Sequence, residues 1–97
     1  MGLNYNILAI MESVDICAEM GGQIKALRKK HYPKDNQSTF SVRIKVSLHT
    51  YRRMEKGDPR VSFAHYLELA RLYGIEQNLL GIFQPKASSL NLFESDR

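Results

Sequence analysis

Between Asn36 and Gly57 the chain has room for two short helices and little else, and that stretch restricts the fold more than any other. Asn36 is a good N-cap for a helix over Gln37 to Ile44, because its side-chain oxygen can take an otherwise unpaired N–H of the first turn. Lys45-Val46-Ser47 makes a turn, Ser47 caps a helix from Leu48 to about Lys56, and Gly57 stops it where a left-handed residue is usually needed. Counted from Gln37, apolar residues fall at the fourth, eighth, tenth, fifteenth and eighteenth places: Phe40, Ile44, Val46, Tyr51 and Met54. The fifth place, where the second helix presses on the first, holds the small Ser41. Two helices joined this tightly must cross steeply, with those side chains fixing the crossing.

The flanking pattern is also helical. Ile7, Leu8, Ile10, Met11, Val14 and Cys17 mark an amphipathic helix over roughly Asn6 to Glu19, with Gly21-Gly22 as its break. Ile24, Leu27 and Arg28 open a second helix that ends near His31, before the loop Tyr32-Pro33-Lys34-Asp35. Ser62 caps a later helix with Phe63, Tyr66, Leu67, Ala70 and Leu72 as its apolar stripe, and Gly74 ends it. Glu76 to Phe83 suits one more short helix. A polar tail from Pro85 to Arg97 follows, in which Leu90, Leu92 and Phe93 are the candidates for a short strand. Phe40, Tyr51, Met54, Phe63 and Tyr66 are the expected core, with Cys17 as a small buried apolar residue.

Ninety-seven residues, 43% of them apolar and 25% charged, make one soluble globular domain with a small core. The apolar run Ile7 to Met11 is too short to span a membrane, and no cleavage signal follows it. A single cysteine cannot form an internal disulfide. His31, His49 and His65 lack metal-ligand spacing, so neither metal nor cofactor is expected. No nucleophile stands beside a base and no glycine-rich phosphate loop is present, which argues against an enzyme. Charge points elsewhere. From Lys25 to Arg60 the chain carries eleven Lys and Arg against Asp35, Glu55 and Asp58, a local excess of +8, while the remainder sums to −4. Positive charge gathered in the middle third is the footprint of a polyanion binder.

The spacing from Gln37 to Met54 is that of a DNA-binding helix-turn-helix. "GQIKALRKK", "NQSTFSVRIKVSLHTYRRMEKG" and "YLELARLYGI" resemble the Cro/repressor class known as the Xre family, over about Gly22 to Ile75. "RRMEKGDPRVS" followed by "YLELARLYGI" is similar to the branch that serves as antitoxins. The resemblance implies an all-α fold: a compact five-helix lambda-repressor-like bundle containing the helix-turn-helix, here with an extra N-terminal helix (residues 1–20), a DNA-binding domain (21–84) and a short C-terminal tail (85–97). It implies a two-fold homodimer on operator DNA that acts as a transcriptional repressor in the cytoplasm, associated with the nucleoid. The alternative it offers is an antitoxin that binds a toxin protein and regulates its own operon.

Residue by residue, the resemblance places Leu48, His49, Thr50, Arg52 and Arg53 against base edges. Gln37, Asn36, Ser47, Arg43, Lys45 and Lys56 are its expected phosphate contacts, with Gln37 matching a glutamine whose amide holds a backbone phosphate. Arg28 and Glu55 are its structural ion pair. Lys45 stands where the family prefers glycine and is expected in a left-handed conformation. For the dimer interface the candidates are Ile7, Ile10, Met11 and Val14 of the N-terminal helix, or the segment from Leu79 to Phe83.

Overall fold

A computed structural model of the protein describes residues 2–85, with side chains from residue 16 onward. Every secondary-structure element among the described residues is a helix: α1 (Gly2–His31), α2 (Gln37–Arg43), α3 (Leu48–Glu55), α4 (Phe63–Leu72) and a 3₁₀ helix (Glu76–Gly81). The chain divides into two compact units, Met1–Tyr66 and Leu67–Arg97. Residues 86–97, and with them Leu90, Leu92 and Phe93, lie outside the described part, as do the side chains of Ile7, Ile10, Met11 and Val14.

The two N-terminal helices expected from the sequence are one. α1 runs through Gly21-Gly22 without a break. A glycine inside a helix costs about 0.5–1 kcal/mol relative to alanine, and the reason for bearing that cost is tertiary. A Cβ on Gly21 would sit 2.5 Å from both the Glu55 carbonyl oxygen and the Gly57 nitrogen. A Cβ on Gly57 would collide with the Cys17 carbonyl in return. The facing glycines let the backbone of α1 touch the end of α3, and α3 is the element on which both α1 and α2 pack. Cys17, beside this crossing, is half-buried rather than enclosed.

Local chemistry sets the ends of α2 and α3. Asn36 Oδ1 accepts the Thr39 N–H at 2.8 Å, and Ser47 Oγ accepts the Thr50 N–H at 3.0 Å. Helices α2, α3 and α4 all close on the same motif, in which the N–H of a left-handed residue and that of the residue after it bond back to the last turn. The left-handed residues are Lys45 (φ 61°), Gly57 (φ 71°) and Gly74 (φ 69°). After α2, Lys45 N–H bonds to the Val42 carbonyl at 3.1 Å and Val46 N–H to that of Ser41 at 3.0 Å. After α3, Gly57 N–H bonds to Met54 at 2.9 Å and Asp58 N–H to Arg53 at 3.0 Å.

Lys45 alone of the three carries a side chain. A left-handed conformation costs it about 1–2 kcal/mol, whereas a glycine there would forfeit about 0.4–1 kcal/mol through the freer unfolded chain. The first effect is the larger. Lys45→Gly is therefore expected to raise stability by about 0.5 kcal/mol, read as a higher urea midpoint at unchanged m-value; a lower midpoint would contradict the strain.

In the first unit Phe40, Tyr51 and Met54 are fully enclosed and Val61 nearly so. Tyr32, Phe40 and Tyr51 form a tilted aromatic row, with ring centroids 5.2 Å and 5.1 Å apart. Ser41 is buried, and Ile44 and Val46 are half-buried. The stripe read for α4 needs correction. Phe63 is 60% exposed and Leu72 41% exposed, whereas Leu69 is buried and Tyr66 half-buried. Tyr66, Leu67 and Ala70 of the stripe are half-buried, so the covered face keeps them, takes in Leu69, and leaves Phe63 and Leu72 exposed. The last helix is a 3₁₀ helix ending at Gly81, two residues short of Phe83.

Candidate nucleic-acid interface

α3 presents one buried and one open face. Tyr51, Met54 and Glu55 are buried. His49, Arg52 and the capping Lys56 are exposed, and Leu48, Thr50 and Arg53 are half-buried. His49, Arg52, Arg53 and Lys56 recur at three- and four-residue steps, so they occupy one side of the rod. The N-terminal end is held by Ser47, whose hydroxyl also donates to Thr50 Oγ1 at 2.9 Å. This leaves the first turn of α3 capped, with Ser47 itself exposed.

Behind the open face lies a buried polar cluster. Arg28 Nε donates to Glu55 Oε2 at 2.7 Å and Nη2 to Oε1 at 3.3 Å, with side-chain exposures of only 9% and 3%. Arg28 Nη1 reaches the Asp35 carbonyl at 3.0 Å, tying the loop before α2 to the same guanidinium. Gln37 Nε2 donates to Glu55 Oε1 at 2.9 Å, so one amide hydrogen of this expected phosphate contact is already committed within the chain. Burial alone would raise the Glu55 pKa, but the hydrogen bonds from Arg28 and Gln37, with the nearby Tyr51 hydroxyl, hold it below the usual carboxylate value. The Tyr51 hydroxyl is enclosed without a hydrogen bond of good geometry, and burial together with the Glu55 carboxylate drives its ionisation far up.

The other expected DNA contacts divide into held and unheld. Arg43 is held: its guanidinium pairs with Asp35 at 2.8 and 3.3 Å and lies 4.6 Å over the Tyr32 ring. Arg53 is held through Nε, 2.9 Å from Asp58 Oδ2. Asn36 is exposed, with its oxygen engaged in the cap. Lys45, Arg52 and Lys56 are exposed and take part in no ion pair among the described residues.

Sequence reasoning missed Asp35 and Asp58 as organising residues. Asp58 accepts from Arg53, from Arg60 Nε and Nη2 at 3.1 and 3.2 Å, and from the Arg60 N–H at 2.9 Å. Those bonds, Arg60's first, keep its carboxyl far below the ordinary range, and Arg43 lowers Asp35 in the same way. The one signal available was the count of charges. All three acids between Lys25 and Arg60 are consumed by four arginines, so the seven remaining cations, Lys25, Lys29, Lys30, Lys34, Lys45, Arg52 and Lys56, take part in no ion pair among the described residues.

Among the described residues no group of His, Cys, Asp and Glu is placed to hold a metal ion. No described helix is long and apolar enough to cross a membrane. Comparison with known protein families, with curated proteins and with solved structures returns no match.

Proposed function

We propose that this protein is a sequence-specific, homodimeric regulator of transcription of the Xre type, a repressor that acts in the cytoplasm on double-stranded operator DNA. In this reading α2 and α3 are a helix-turn-helix within a lambda-repressor-like bundle, and α3 lies in the major groove. One observation carries it: a capped helix whose open side displays His49, Arg52, Arg53 and Lys56, within a segment in which seven cations pair with no acid among the described residues. The major groove admits a helix, and an arginine fork matches guanine O6 and N7. Asn36, Gln37, Ser47, Arg43, Lys45 and Lys56 serve the backbone, and two copies address half-sites about one turn of DNA apart. Catalysis has no part in this reading.

Selection of bound sites from random duplexes is the test. The expected product is a two-fold symmetric sequence with half-sites roughly 10 base pairs apart. Arg53→Ala is expected to flatten preference at one base pair per half-site by about 1–3 kcal/mol, whereas Gln37→Ala should weaken all sequences evenly. A pool that shows no enrichment would remove the proposal.

A second reading, an antitoxin whose main partner is a toxin protein, is favoured by the exposure of Leu80, Ile82 and Phe83, the last 96% open. Co-purification of a partner that buries these residues would distinguish it.

A further inference from the structure

Asp58 is fixed from three directions besides its bond to the Arg53 guanidinium. Its N–H bonds to the Arg53 carbonyl at 3.0 Å in the closing motif of α3, its carbonyl accepts the Tyr66 hydroxyl at 2.7 Å, and its Oδ1 accepts the Arg60 N–H at 2.9 Å. The carboxylate is only 12% exposed and grips Arg53 by Nε alone. Both Nη groups of Arg53 carry no hydrogen bond among the described residues, and those are the atoms that face a guanine end-on. Arg52, its neighbour, is exposed and takes part in no ion pair among the described residues.

An acid at the edge of a DNA-facing helix is repulsive unless it has a task. We infer that Asp58 is the positioning residue for Arg53: it pins the guanidinium by its inner edge and turns the free fork toward one base pair of the groove. This inference rests on the DNA reading above. Arg53 thereby sets base preference, while Arg52, free to swing, serves the phosphates. A long side chain that must be immobilised on binding loses roughly two- to tenfold in affinity, and a brace made beforehand avoids that loss only where Arg53 meets its matching base.

The test compares base preference at every position of the selected site for the full chain, Asp58→Asn, Asp58→Ser, Arg60→Ala and Arg53→Ala. Both Asp58 variants are expected to lose about two- to tenfold in discrimination at the same base pair that Arg53→Ala flattens. In the Arg53→Ala background they should lose nothing further. Arg60→Ala, which leaves the Arg53–Asp58 contact in place, should keep the preference. Asparagine and serine both retain an oxygen for the Arg60 N–H, so a loss shared by two side chains of different shape is not the failure of the loop to form. Unchanged or sharpened preference in the Asp58 variants, with uniformly tighter binding, would show the acid to be a mere repulsive neighbour and overturn the inference while the DNA reading stands. A wild-type chain that selects no site at all would overturn both.

Discussion

In urea denaturation at pH 7, Arg28→Ala is expected to lose about 3 kcal/mol of stability, the lower end of the range for a buried pair that loses one partner. The variant leaves Glu55 charged and nearly enclosed, with only Gln37 and the Tyr51 hydroxyl to answer it. It also frees the Asp35 carbonyl and so loosens the entry to α2. The pH dependence identifies the cause. In the wild type Glu55 is held below its unfolded pKa, so its contribution is complete above that value and is lost as pH falls through the folded one. Without Arg28, burial outweighs what remains and the folded pKa rises above the unfolded value. The sign then reverses: Glu55 destabilises at neutrality and is relieved as acid protonates it. The deficit of Arg28→Ala should therefore narrow between pH 7 and about pH 4. A deficit that stays constant over that range would mean that packing of the arginine stem, not the stranded charge, dominates. Arg28→Met with Glu55→Met together should cost far less than Arg28→Ala, because no charge is then left buried.

The features legible in the sequence are those whose chemistry is local. Asn36 and Ser47 cap because a short oxygen-bearing side chain before a helix has few better partners than the N–H three residues on. Gly57 and Gly74 take positive φ because each follows the last turn of a helix, which needs a left-handed residue to close; Lys45 does the same after α2, but likeness to a known pattern, not its own chemistry, pointed to it. Phe40, Tyr51 and Met54 are buried as their spacing required. The Arg28–Glu55 contact spans 27 residues, and only likeness to a known pattern brought it forward, since nothing local announces it.

The misread features are tertiary. Gly21 looks like a breaker because glycine disfavours helices, yet here it is kept for the approach of the Glu55 carbonyl, which no local signal reveals. Phe63 looks like core by hydrophobicity, but it lies at the first residue of α4, on the open side. The Arg53–Asp58 and Arg43–Asp35 pairs escaped because neither has the three- or four-residue spacing of a helical ion pair. Each exists only because a chain turn folds the acid back beside the arginine. Those turns convert a diffuse excess of charge into two sorts of cation: arginines oriented by acids, and lysines with Arg52 left to solvent.

That division leads to the largest effect expected of this protein, the dependence of DNA affinity on salt. Each phosphate neutralised releases counterions and contributes about −0.9 to the slope of log affinity against log salt. If each copy of a dimer uses three or four of the seven unpaired cations, six to eight phosphates are engaged, and affinity for the selected duplex should fall about a thousandfold or more between 50 and 200 mM salt. The unpaired lysines should carry this loss because no acid must be given up when they meet a phosphate. Lys45→Ala and Lys56→Ala are each expected to flatten the slope by about two per dimer, one phosphate from each copy. Arg71→Ala, which removes an equally exposed cation that lies outside the basic segment and faces Glu68, should leave the slope where it was. Asp58→Asn should leave the slope nearly intact while base preference falls, since Asp58 orients a contact and neutralises nothing on the duplex. Equal slopes in Lys56→Ala and Arg71→Ala would mean that net charge alone draws the protein to DNA, and α3 would lose its claim to the groove.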